Sequence, residues 1–193
     1  VRINSVKDAL DLGIAVIFQE LSSIPCLSVA ENMFLGRQIP YKNIRGSINW
    51  KEQKKQTKEA LKIVGLDVDP NMLVEKLGMG QRQLLEIAKA VSQNAKLIIL
   101  DEPTSSLSRK EIDHLLEIMR SLKKKGVSML FITHKLDEAK KIGDVVTVFK
   151  DGKKAGFRKM QDVTEDEIIK MMVGRELSEK YPKSKEKKFG DVV

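Results

Sequence analysis

The sequence has a single cysteine, Cys26, so no disulfide framework can form within it, and the chain suits a reducing compartment. The apolar neighbours Pro25 and Leu27 give that cysteine an expected packing role rather than a catalytic one. No apolar run approaches the roughly 20 residues that span a bilayer, and the N-terminus does not read as a signal peptide. Any membrane association is expected to run through a partner protein. There is no internal repeat and no heptad array, which excludes solenoids and long coiled coils. The first residue is Val1 rather than methionine, so the chain is expected to be a fragment.

What is present fits a globular domain. The chain has 193 residues, 41% of them apolar and 32% charged, enough for one domain with a core and a strongly solvated surface. The net charge of +8 is spread along the chain, with one dense run at Lys183, Lys185, Lys187 and Lys188. A basic balance admits nucleic acid, anionic lipid or nucleotide as partner. The terminal run reads as a solvated tail, or else as a linker or membrane-surface contact.

Periodicity predicts alternating strands and helices. Gly13 to Phe18 is a short β-branched run, read as a buried strand. Residues 27–35 read as a helix capped by Ser28 with Glu31, and residues 36–48 as a loop. Asn49 and Glu52 open a helix that runs to Val64 and stops at Gly65. After a polar link at 67–71, the turn 78–81 precedes an amphipathic helix with Leu84, Leu85, Ile87, Ala88 and Val91 on one face. Leu97 to Leu100 and Ser128 to Thr133 read as buried parallel strands. Between them a helix begins at the Ser108–Glu111 capping box, and Gly126 ends it. A short helix over 137–142, a hairpin turning at Asp151-Gly152, and a helix capped by Thr164 and Glu167 complete the reading. The order implies an α/β fold with a largely parallel sheet, and a helical lobe between Gln19 and Gly80.

Four features carry chemistry. The strand Leu97 to Leu100 delivers Asp101 and Glu102 at its C-terminal end, where ligands bind in open α/β sheets. Side chains alternate along a strand, so the two acids can do separate work: Asp101 holding Mg²⁺ and Glu102 polarising an attacking water. An acidic pair can also simply mark a strand's exit into solvent, but the apolar run before it and Pro103-Thr104 after it favour the functional reading. Gly78-Met79-Gly80-Gln81 opens a helix whose free N–H groups suit a phosphate, or it is only a glycine-rich turn. His134 and Gln19 each follow a strand; either can meet a phosphate, water or metal, or be an ordinary surface residue.

With those residues in hand, the sequence resembles the nucleotide-binding domain of ABC transporters, and the resemblance covers nearly the whole chain. Gln19 falls at the Q-loop, and Leu77-Gly78-Met79-Gly80-Gln81 at the signature motif. Leu97 to Glu102 matches Walker B, Ser105-Ser106-Leu107-Ser108 the D-loop and Thr133-His134 the H-loop. Residues 13–20, 27–36, 86–90 and 172–175, with Tyr181-Pro182, resemble the monosaccharide-import branch of ribose, galactose and xylose type, whose ATPase is a tandem of two cassettes.

The resemblance implies a RecA-like P-loop NTPase core with a helical subdomain. Residues 1–19 would end the N-terminal part of the core, 20–81 form the helical subdomain, 82–175 the rest of the core and 176–193 a basic linker or tail. It implies ATP and Mg²⁺ as ligands, with Asp101 and Gln19 toward the metal. Glu102 would be general base, with His134 on the γ-phosphate and Gln19 on metal and water. Residues 77–81 and 105–108 would face ATP held by a second cassette. Permease subunits would be direct partners at the cytoplasmic face of the membrane, and an external sugar-binding protein an indirect one. No nucleic acid is expected.

Two departures bear on activity. No G-x-x-x-x-G-K-[ST] motif occurs, so the N-terminal portion of the core is expected to be missing and the chain alone to hydrolyse little or no ATP. Gly78 stands where the signature usually has serine, and Ser108 where many D-loops have aspartate. Two alternatives follow: a non-hydrolysing regulatory or binding module, or a soluble ABC-type ATPase acting on DNA or the ribosome. The DNA-repair members carry a long coiled coil, and no heptads are present.

Overall fold

The computed structural model describes residues 1–41 and 46–174. The basic run, residues 176–193 and the Tyr181-Pro182 pair lie outside them. Two compact units divide the chain, Val1–Ile142 and Gly143–Val193.

In the first unit, β1 (Ile14–Ile17), β2 (Leu97–Asp101) and β3 (Ser128–Ile132) form a parallel sheet in that order. Ile17 pairs with Leu100, and Asp101 with Ile132, so the C-terminal ends of all three strands emerge at one edge. A helix absent from the sequence reading, α1 (Val6–Asp11), precedes β1 and is closed by a Ser5–Asp8 capping box. The region after β1 is helical, as expected. It contains α2 (Val29–Met33), α3 (Trp50–Ile63) and an unanticipated 3₁₀ turn, Val74–Lys76. Ser28 caps α2 and Asn49 caps α3, while Gly65 leaves α3 at φ +64°. Then come α4 (Met79–Ser92), α5 (Arg109–Lys124) and α6 (Leu136–Ile142).

One hydrophobic cluster joins these elements. Ala15, Ile17, Ile98 and Leu100 from one sheet face meet Leu85 and Ile87 of α4, Leu115 and Met119 of α5, and Val29, Met33 and Leu61 of α2 and α3. The other sheet face differs. Val16 is 45% exposed, Leu130 52% and Ile132 45%, although each sits in register with a partner strand. The expectation that β3 is buried is therefore corrected: Met129 and Phe131 are partly buried against the core, and Leu130 and Ile132 are exposed. That apolar face is thus only partly covered.

Cys26 corrects a second expectation: it is exposed. The buried Asn32 amide reaches the carbonyls of Ile24, Leu27 and Ser28, so the turn's backbone faces inward and leaves the thiol outside.

The second unit is a hairpin, β4 (Val145–Lys150) and β5 (Lys153–Lys159), followed by a 3₁₀ turn and α7 (Glu165–Val173). Asp151 at φ +50° and Gly152 at φ +73° form the left-handed pair that a two-residue hairpin loop requires. Val148, Val163 and Ile168 are its buried residues.

Candidate active site

Three strand ends place the predicted groups. Gln19 is two residues past β1, Asp101 closes β2, and His134 is two residues past β3. The sheet register brings Glu102 and His134 together: His134 Nδ1 lies 3.1 Å from Glu102 Oε1. Strand alternation does not set the direction of Glu102, as the sequence reading assumed. The strand ends at Asp101, and Glu102 adopts φ +43°, a left-handed conformation uncommon outside glycine. Its amide still donates to Ile132 O at 3.0 Å, which keeps the turn tied to β3. On the other side, the Thr133 hydroxyl accepts from the Lys135 amide at 3.0 Å and bends the chain after β3. Strain of this kind is retained where the surroundings hold it, commonly at functional sites.

Beneath this edge lies a buried polar group that sequence reasoning missed. Thr104 is 1% exposed and Glu138 2%, and the Thr104 hydroxyl donates to Glu138 Oε2 at 2.5 Å. Lys135 Nζ bridges the Thr104 carbonyl at 3.0 Å and Glu138 at 3.5 Å. The network fastens the turn after Glu102 to the helix after His134. Glu138 reads in sequence as one more acid in the first turn of a short helix, and nothing local marks it as buried.

The turn 77–81 is not outside α4 but forms its cap and first turn. Gly78 is the N-cap, and because it has no side chain only half of a capping box exists: its amide donates to Gln81 Oε1 at 3.1 Å. Leu77 is buried and anchors the turn, and Arg82 clamps it by donating to the carbonyls of Leu77 and Glu75, each at 3.0 Å. Gly78, Met79 and Gln81 are exposed, as are Ser105, Ser106 and Ser108, whereas Leu107 packs against the core. No hydrogen bond joins residues 78–81 to Asp101, Glu102 or His134 among the described residues.

The chemistry of these groups fits a nucleotide with Mg²⁺. Asp101 and Gln19 offer hard oxygen ligands, and among the described residues no cluster of three or more His, Cys, Asp or Glu forms a protein cage. Mg²⁺ needs no such cage, because it keeps waters and takes phosphate oxygens beside one or two protein ligands.

The family model described as ABC transporter matches residues 3–105, more than half of the chain. The chain belongs to the ABC transporter family. This ABC chain is 45% identical over 194 residues to the L-arabinose transport ATP-binding protein AraG of Geobacillus stearothermophilus, all of the chain matching 37% of that protein. It is 45% identical over 195 residues to the galactose/methyl galactoside import ATP-binding protein MglA of Clostridium tetani, with 38% of that protein covered. The ABC chain thus spans little more than a third of such relatives. Its fold is that of ABC cassettes: a solved dimeric ATP-binding cassette bound to ADP and phosphate matches with a TM-score of 0.63 at 28% identity, covering 76% of this chain and 62% of the other.

Proposed function

We propose that this chain is part of the ATP-binding subunit of an importer in which ATP hydrolysis drives a monosaccharide across a membrane. The observation that carries the reading is the Glu102–His134 contact at the C-terminal edge of the parallel sheet, on a chain of the ABC family. The sugar class rests on the functions of the relatives, which transport L-arabinose or import galactose and methyl galactoside.

In this mechanism Glu102 takes a proton from water as the water oxygen bonds to the γ-phosphorus, and the bond from that phosphorus to the ADP oxygen breaks. A carboxylate only accepts, so the Nδ1 of His134 carries the proton of their shared hydrogen bond. The Nε2 side of the ring faces a γ-phosphate oxygen. Asp101 and Gln19 would hold Mg²⁺, which would supply neutralisation of charge on the phosphate oxygens. Residues 77–81 and 105–108 face the ATP of a second cassette, with Leu77 and Leu107 supporting the exposed positions from the core. Permease subunits anchor the protein at the cytoplasmic face, and a sugar-binding protein on the far side acts through them. No helix among the described residues is long and apolar enough to cross a membrane, which fits attachment through a permease.

The P-loop motif is absent from this sequence, so the chain by itself is expected to hydrolyse little or no ATP. The full-length subunit with its permease is the proper test. Glu102→Gln should reduce Mg²⁺-dependent hydrolysis by about 100-fold or more, the scale of lost general-base catalysis, and leave ATP binding intact. Wild-type turnover in that variant would overturn the assignment. Robust hydrolysis by the 193-residue chain, abolished by the same change, would refute its predicted inactivity.

A further inference from the structure

The two oxygens of the Glu111 carboxylate address two different helices. Oε2 accepts from the Ser108 amide at 2.8 Å and its hydroxyl at 2.6 Å, closing the capping box of α5. Oε1 lies against Gly80, in the first turn of α4. A Cβ built on Gly80 would stand 2.8 Å from Glu111 Cδ and 3.0 Å from Cγ, and closer still to Oε1. A Cβ there would push the carboxylate aside, so the contact as it stands needs glycine.

The electrostatics run the same way. The first-turn amides of a helix have no intrahelical acceptor, and the N-cap of α4 is a glycine with no side chain to offer. A negative charge is favourable at either helix N-terminus. The Ser108 hydroxyl, then its amide, and further the Gly80 amide hold the Glu111 carboxyl below its ordinary value of 4.5.

A cavity of about 250 Å³ opens beside the contact, lined by Gln83 and Leu84 of α4, Leu107, and Leu115 of α5. The carboxylate joins the first turns of α4 and α5 beside that cavity.

We propose that Glu111 is a positioning residue that ties the turn 78–81 to the turn 105–108, so that the two move as one body. The contact also explains the glycine at position 80 without any appeal to nucleotide. The consequence for hydrolysis rests on the proposed function; the contact itself does not.

Hydrogen–deuterium exchange on the nucleotide-free full-length protein tests this, following peptides over residues 74–86 and 103–113. Glu111→Ala should raise exchange in the first turn of α4 about tenfold, the scale of one lost charge-assisted hydrogen bond, although residue 111 lies on another helix. Gly80→Ala gives an independent arm: its Cβ displaces the carboxylate, so exchange should rise across residues 105–112. In the Glu111→Ala background Gly80→Ala should add nothing at those residues, because the overlap is gone. Glu111→Ala that loosens only its own helix, or Gly80→Ala that acts equally in both backgrounds, would overturn the proposal. These readings need no ATP, so a protein that proved not to be a transport ATPase would still decide them.

Discussion

His134 Nδ1 and Glu102 Oε1 stand 3.1 Å apart across the ends of β3 and β2, joining residues 32 positions distant in the sequence. The contact orients the carboxylate and leaves the far ring nitrogen free to face a phosphate. Under the proposed function, His134→Ala in the full-length protein should therefore lower ATP hydrolysis by about 100-fold, with ATP affinity changed far less. A variant that loses affinity and keeps its turnover at saturation would assign the imidazole to binding alone.

The Thr104–Glu138 pair is a stability determinant under that edge. Thr104→Val preserves shape but removes the donor to a carboxylate that is 2% exposed. Leaving such a group short of a partner costs about 1–3 kcal/mol, readable as a lower urea midpoint with an unchanged slope. Thr104→Ser keeps the hydroxyl and should cost less. Equal stability of the two variants would show that the hydrogen bond contributes nothing.

The partly covered sheet face predicts association. Val16 of β1 and Leu130 and Ile132 of β3 present apolar surface on the two strands that flank β2, and such patches drive contact with other surfaces. The chain expressed alone should sediment as oligomers at micromolar concentration. Val16→Lys combined with Leu130→Lys should shift it toward monomer. A wild-type chain that remains monomeric would dispose of the idea.

Acid should destabilise the fold through its helix caps. Glu31 and Glu111, bound first by the hydroxyls of Ser28 and Ser108, and Glu167, bound first by the Thr164 amide, all lie below the ordinary value of 4.5. Asp8, held mainly by the Asn4 amide, lies below 3.8. These depressed values mean that the unfolded chain binds protons more readily. The stabilisation is thus complete above the ordinary values and is lost as pH falls through the folded ones. The thermal midpoint should be flat above about pH 5 and fall below it. Glu31→Gln with Glu167→Gln keeps the capping geometry without a titrating group and should flatten the slope. An identical acid slope in that variant would trace the loss to other groups.

Much of this architecture was legible because its signals are local. Ser28, Asn49, Ser108 and Thr164 each cap a helix by bonding a residue three positions on, a relation written within one turn of chain. The same holds for the Asp151-Gly152 hairpin. Helix α1 went unread although Ser5 and Asp8 form the same kind of box, because at six residues it is too short to show an apolar period and buries nothing.

The sequence by itself determined where most of the longer helices and the strands lie, and that acids, a glycine turn and an imidazole would follow strands or open helices, since capping and side-chain periodicity act over a few residues. Tertiary structure alone decided that Glu102 would turn left-handed toward His134, that Glu138 would be buried under Thr104, and that Glu111 would reach a second helix. It also decided that one face of β3 would stay only partly covered. Each of these depends on strand register and on packing between segments far apart in the chain, and no local preference encodes such a distance.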